Sequence, residues 1–246
     1  MPGSERSRVA VLASGGGSNL VALLDYLRIA GDERSADVVL ALSNRANAGA
    51  LAHAEAHGIA NGVLADTGDG AALLALLEAR GVDLVVLAGY LKLIPTDVAR
   101  HYRGRMLNVH PALLPAFGGP GYYGERVHRA VLESGARVSG ASVHFVDEHY
   151  DRGAIVAQWP VPAYADDTPE ALAARVLRVE HRLLPRAVDA VAAGRVTLDA
   201  EGRACGVFEA PGDAALEGAR DAAFVVSGDP ALLHAQLDVA LGAAAP

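Results

Sequence analysis

Asn108 and His110 stand two residues apart in the run Met106-Leu107-Asn108-Val109-His110-Pro111, and this spacing is the chain's clearest chemical signal. Met106, Leu107 and Val109 are apolar and read as a short buried strand. Pro111 ends that strand by removing a backbone donor. On extended backbone, side chains two apart leave the same face of a sheet. An amide and a titratable imidazole therefore emerge together at the carboxyl end of a strand. A neutral donor beside a base suits acyl-type chemistry, in which an oxygen gains charge while a proton moves. The tripeptide alone also fits a polar strand end with a satisfied histidine.

Two further groups have chemistry in their residue types. Ser14-Gly15-Gly16-Gly17-Ser18-Asn19 follows an apolar run and precedes Leu20, Leu23, Leu24 and Leu27 at helical spacing. Glycines let backbone approach an anion, and the N–H groups of a helix's first turn supply positive partial charge. No Lys follows the glycines, and Leu20 stands where a dinucleotide fingerprint has its last glycine, so a phosphate on a small molecule is the expected ligand. The third group is the turn Asp147-Glu148-His149-Tyr150-Asp151-Arg152-Gly153. A carboxylate at Asp151, folded against His110, would raise that histidine's pKa and stabilise its charged form. On sequence grounds Asp147 and Glu148 are equal candidates.

The elements that position these groups alternate. Strands are expected at Val9–Ala13, Val38–Leu42, Asp83–Ala88 and Met106–His110, with helices after the glycine loop, up to about His57, over Ala71–Arg80 and from Pro95. This rhythm predicts an α/β fold, a doubly wound, mostly parallel twisted sheet, whose ligands bind beyond the carboxyl ends of the strands. The loops at 14–19, 89–94 and 108–121 fall there. Longer strands follow at Val138–Val146 and Ala154–Pro160, then a helix from Pro169 to about Ala193 with Thr168 as N-cap. Pro185 should kink or divide that helix. Beyond Gly194 the pattern predicts short strands with turns, then a helix rich in Ala and Leu and a frayed end.

Composition narrows the class. The chain has 246 residues, 52% hydrophobic but only 5% aromatic, so its core must be built from Ala, Val and Leu. A net charge of −8 argues against a nucleic-acid partner, which needs a basic face. One cysteine, Cys205, cannot form an intramolecular disulfide and fits a reducing compartment. The amino terminus has too short an apolar run for a secretory signal, and no stretch approaches a membrane span, so a soluble cytoplasmic protein is expected. His53 and His57 are four apart on a helix, but Glu55 is misplaced for a zinc motif and a solvated face is expected.

Five segments, SGGGSNL, LVVLAGYLKLIP, LNVHPALLPAF, SGASVHFVDEHYDRGAIVAQ and RVEHRLLP, occur in the order found in phosphoribosylglycinamide formyltransferases, and the chain resembles that family over roughly residues 8–200. The resemblance implies a Rossmann-like formyltransferase fold and a catalytic domain over 1–200, with 201–246 an extension. It implies transfer of the formyl group of 10-formyltetrahydrofolate, a co-substrate, to the amine of N1-(5-phospho-D-ribosyl)glycinamide in purine synthesis. By resemblance Asn108, His110 and Asp151 are catalytic, and Gly17, Ser18, Asn19 and Glu180 hold the ribonucleotide. Leu91, Lys92, Leu93 and Ile94, with Asn108, shape the folate pocket, and His144 lies near the centre. No metal, nucleic acid or membrane is implied, and the assembly is a monomer or homodimer.

The chain departs from the family at three places. TGDGAALLALLEAR before Gly81 is short and lacks the family's arginine toward the folate end. GGPGYYGER at 118–126 is long, and its Tyr122 and Tyr123 are placed either to cover the site or to pack locally within the loop. Residues after about 205 have no counterpart in compact members. Three other readings share features: a methionyl-tRNA formyltransferase, which would carry a basic domain; a formyl-folate hydrolase, with a regulatory domain ahead of the glycine loop; and a binding module without activity.

Overall fold

The computed structural model describes residues 6–206. Seven strands form one sheet: β1 (Ser7–Leu12), β2 (Ala36–Ser43), β3 (Ala60–Val63), β4 (Leu84–Leu87), β5 (Met106–His110), β6 (Val138–Phe145) and β7 (Ile155–Pro162). Their order is β3-β2-β1-β4-β5-β6-β7. The first five are parallel, and β6 and β7 run antiparallel to their neighbours. The strand order reverses at the β1/β4 pair, the switch point where such sheets leave a crevice for ligand.

Strand periodicity sorts the core into two layers. Val9, Val11 and Ala13 pack on one side of the sheet with Leu84, Val86, Leu107 and Val109. Ala10 and Leu12 pack on the other with Val85, Leu87 and Met106. The first layer is covered by α1 (Ser18–Ala30), α2 (Gly49–Ala56), α5 (Glu125–Glu133) and α6 (Pro169–Ala192), and the second by α3 (Gly70–Ala79) and α4 (Thr96–His101). In α1, Leu20, Leu23 and Leu27 form the buried stripe that the spacing predicts. Asn108 and His110 share the parity of Met106 on β5, so amide and imidazole do leave one face.

Helix ends follow their capping residues. Asp69 caps α3 by accepting the Ala72 N–H at 2.9 Å, and Thr168 caps α6 through Ala171 N–H at 3.2 Å, with Pro169 in the first turn. Pro185 does not divide α6, which runs unbroken through it. An interior proline costs about 3 kcal/mol. Leu183, Leu184, Ala187 and Val188 around it are fully buried, and burial at roughly 1.5–3 kcal/mol per large side chain holds both halves of the helix against the sheet.

Two elements lie outside the expected pattern. β3 is a short edge strand, Ala-Asn-Gly-Val, in which only Val63 favours a strand and the residues are half-buried or exposed; its pairing with β2 makes it a strand. α5 occupies a segment to which the sequence pattern assigns no element. Its Val127/Val131 pair and the stop at Gly135 are its sequence signs. After α6 a hairpin of β8 (Val196–Leu198) and β9 (Ala204–Gly206) agrees with the expected short strands and straddles position 200. The expected Ala- and Leu-rich final helix lies outside the described residues. No described helix is long and apolar enough to cross a membrane.

Candidate active site

The carboxyl end of β5 carries a compact polar cluster around Asp151. This residue adopts a left-handed backbone (φ 55°) in the loop between β6 and β7, which turns its carboxylate inward. Its Oδ2 lies 3.5 Å from His110 Nδ1, and its Oδ1 lies 3.6 Å from His144 Nε2. Oδ2 also accepts the Gly119 N–H at 2.8 Å, and Oδ1 faces Asn108 Nδ2 at 3.4 Å. A Cβ on Gly118 would sit 2.5 Å from the end of the Leu114 side chain and 3.2 Å from Asp151 Cβ, so a larger residue would have to displace Leu114 beside the carboxylate. Of the three acidic candidates in the turn, Asp151 is therefore the one at the centre. Glu148 instead pairs with Arg100 at 2.8 Å, and Asp147 accepts the His149 N–H.

Electrostatics departs from the simplest expectation. Burial lowers the pKa of His110 and outweighs the Asp151 carboxylate and the Phe117 carbonyl, which both raise it. The expectation that Asp151 raises this pKa is right for the pair and wrong for the net result. The ring is only 3% exposed, so losing water costs the charged form more than one carboxylate returns. Asp151 is also pushed up by burial, yet the donors around it, the Gly119 N–H at 2.8 Å nearest, bring its carboxyl below the usual range. His110 thus rests neutral beside a carboxylate, with Nε2 2.8 Å from the Phe117 carbonyl.

His144 sets the direction of the amide. Its Nδ1 lies 2.7 Å from the Phe145 carbonyl, which assigns the ring proton to Nδ1. Nε2 then accepts from Asn108 Nδ2 at 3.0 Å. One amide hydrogen of Asn108 is held by His144, and the other is held only weakly at 3.4 Å. The turn after β5 is fixed from below by Ser142, fully buried on β6. Its Oγ donates to the Ala112 carbonyl at 2.7 Å and accepts the Leu114 N–H at 3.0 Å and Gln158 Nε2 at 2.9 Å. Sequence reasoning missed Ser142 and Gln158, whose roles arise from pairing β6 with β5 and β7.

These groups open onto a cavity of about 710 Å³. Leu91, Lys92 and Leu93 are exposed on its lining, and Ile94 lies buried among them. Tyr122 and Tyr123 line another side, where Phe117 meets Tyr122 edge-on and Arg126 stacks on Tyr123. His128 on α5 also lines it, a histidine the sequence reading did not single out. Burial, with His110 adding to it, lowers its pKa to about 4, and its buried Nδ1 lacks a partner.

Glu180 reaches the cavity from α6, but its Oε2 accepts from Asn19 Nδ2 at 2.7 Å. Burial raises the pKa of this carboxyl. Gly17, Ser18 and Asn19 are not part of the lining, and the Asn19–Glu180 bond joins their loop to it. Gly15, Gly16 and Ser18 are exposed, while Gly17 caps α1 with φ 85°. Gly17 is required, because a Cβ there would meet Ala50 backbone at 2.5 Å. His53 and His57 are exposed, as expected for a solvated face. Among the described residues no group of three or more His, Cys, Asp or Glu is placed to hold a metal ion.

A mostly parallel sheet with an amide, an imidazole and a carboxylate gathered at the carboxyl end of β5 defines a class. A family model described as formyl transferase matches residues 7–188, and the chain belongs to that family. Within it, the chain belongs with the phosphoribosylglycinamide formyltransferases. The chloroplastic enzyme of that name from Arabidopsis thaliana is 46% identical over 198 residues, 78% of this chain and 67% of the relative. The trifunctional purine biosynthetic protein adenosine-3 of Bos taurus is 40% identical over 83% of this chain, which spans 20% of its length. The crystal structure of glycinamide ribonucleotide transformylase 1 from Symbiobacterium toebii superposes with a TM-score of 0.75 at 38% identity, covering 82% of this chain and 94% of that one.

Proposed function

We propose that the chain transfers the formyl group of 10-formyltetrahydrofolate to the amine of N1-(5-phospho-D-ribosyl)glycinamide. The observation that carries this reading is the Asp151 carboxylate between His110 and His144, with the Asn108 amide beside it, on the wall of a cavity beyond the carboxyl ends of β4 and β5. The ribonucleotide phosphate binds the exposed N–H groups of Gly15–Ser18 at the start of α1, and Asn19 and Glu180 meet the sugar end. The folate lies along Leu91–Ile94, an apolar surface that matches a flat ring.

The amine attacks the formyl carbon, and the oxygen becomes negative. Asn108 stabilises it with its weakly held N–H. In the ligand-bound site, released from the Phe117 carbonyl, His110 carries its ring proton on Nδ1 toward Asp151, which leaves Nε2 free to take the proton that the amine sheds, and Asp151 stabilises the imidazolium so formed. The carbon–nitrogen bond to folate then breaks, and the proton passes to the departing nitrogen. His110 Nε2 reaches substrate when ligand displaces the Phe117 carbonyl. This chemistry needs no metal and no nucleic acid, and a cytoplasmic monomer or homodimer suffices for it. Residues 1–200 form the catalytic unit, with 201–246 an extension.

The test is an absorbance assay with both substrates. Folate product should form only when the ribonucleotide is present, with formylated ribonucleotide appearing in equal amount. Release of free formate at the same rate without the ribonucleotide would replace this reading with hydrolysis.

A further inference from the structure

The glycine loop and the 89–94 loop are tied together by one buried residue. The Ser14 N–H donates to the Gly89 carbonyl at 3.0 Å. Its Oγ accepts the Leu91 N–H at 2.9 Å and donates to Asn44 Oδ1 at 2.6 Å. Ser14 is 2% exposed, and Asn44 begins the loop after β2. A single side chain thus joins the loops that follow β2, β1 and β4, three neighbours in the sheet, at the point where strand order reverses.

A hydroxyl has one hydrogen and two lone pairs. Donation to Asn44 fixes the hydrogen, so a lone pair faces Leu91 and the bond there is directional. Packing alone does not call for this group: the preceding residue, Ala13, fills an equally buried place without any polar atom. Resting on the function proposed above, which gives the first loop to the ribonucleotide and the second to the folate, we propose that Ser14 is a positioning residue that couples the binding of the two substrates. Ordering of the glycine loop by a phosphate fixes Ser14. Ser14 then holds the Leu91 N–H and so the start of the folate surface, and by linkage the folate strengthens ribonucleotide binding by the same factor.

The experiment measures equilibrium binding to the full chain of N1-(5-phospho-D-ribosyl)glycinamide and of tetrahydrofolate, a pair that cannot react, each alone and with the other saturating. In the unsubstituted chain each ligand should tighten the other by about fivefold or more. In Ser14→Ala that factor should fall to within about twofold of one, below the usual range of such couplings, and Ser14→Thr, which keeps the hydroxyl, should restore it. A cooperative thermal melt establishes that each variant is folded. If Ser14→Ala does not fold, Asn44→Ala removes the acceptor that orients the hydroxyl and is read the same way. An unchanged factor in a folded variant, a loss of both single-ligand affinities with the coupling intact, or no coupling in the unsubstituted chain would overturn the proposal. Failure of either ligand to bind alone overturns the functional reading itself, and this inference with it.

Discussion

At the scale of single residues, the site is governed by burial competing with charge. His110 lies in a place where desolvation holds the ring neutral while a carboxylate waits 3.5 Å away. Asp151→Asn keeps the shape and removes the group that raises the histidine's pKa, so the pKa should fall further. With neutral imidazole as the active form, the acidic limb of the kcat/KM profile should move to lower pH and its plateau should drop. An unmoved limb would show that the two are not coupled. His128 offers a stability test. Its folded pKa of about 4 lies below the ordinary 6.5, so between these values the unfolded chain takes a proton that the native chain refuses. Stability therefore falls as pH drops from 6.5 toward 4. Because the ring is only 4% exposed, His128→Asn should lose about 2 kcal/mol less than the unsubstituted chain between pH 7 and pH 5, measured by denaturant unfolding.

At the scale of elements, the glycine loop separates binding from folding. Nothing lies within 4 Å of a Cβ built on Gly16, whereas one on Gly17 strikes the Ala50 backbone at 2.5 Å. Gly16→Val should fold normally and raise KM for the ribonucleotide about tenfold, the worth of one hydrogen bond to a charged group, with little change for the folate. Gly17→Val should instead lower the melting temperature, since φ 85° strains a branched residue. Equal KM increases for both substrates in Gly16→Val would refute the assignment of the loop. The elements that were legible in the sequence are those whose periodicity matches one face of a core, such as α1 and β1. β3 was not, because its strand character comes from β2. α5 was obscured by the glycine-rich GGPGYYGE ahead of it.

At the scale of the whole molecule, the sheet order brings residues from five loops to one edge. Asn108 and His110 were readable from a spacing of two. Their assembly with Asp151 and His144 depends on β6 pairing antiparallel with β5, which sets Asn108 opposite His144 and His110 opposite Ser142. No local pattern encodes that register. The clamps made by Ser14, Ser142 and Gln158 were hidden for the same reason, since a serine in a strand or loop has no mark until its partners are in place. The hairpin of β8 and β9 packs Leu198 toward Gly104 at the foot of β5. Truncation after Gly206 keeps that hairpin and should leave kcat within about threefold, a barrier change below 1 kcal/mol. A folded but inactive product would assign the remaining residues to the site.

The central claim is that His110 and Asp151 act as one proton-transfer unit, and a double-mutant cycle in kcat tests it most directly. His110→Ala should lower kcat by about 10²–10⁴, the usual worth of general acid–base catalysis, with KM little changed. Asp151→Asn should lower it as well, and the double variant should be no more than slightly slower than the slower single one. Losses that multiply in full in the double variant would contradict the account, because two independent groups, and not one unit, would then be moving the reaction.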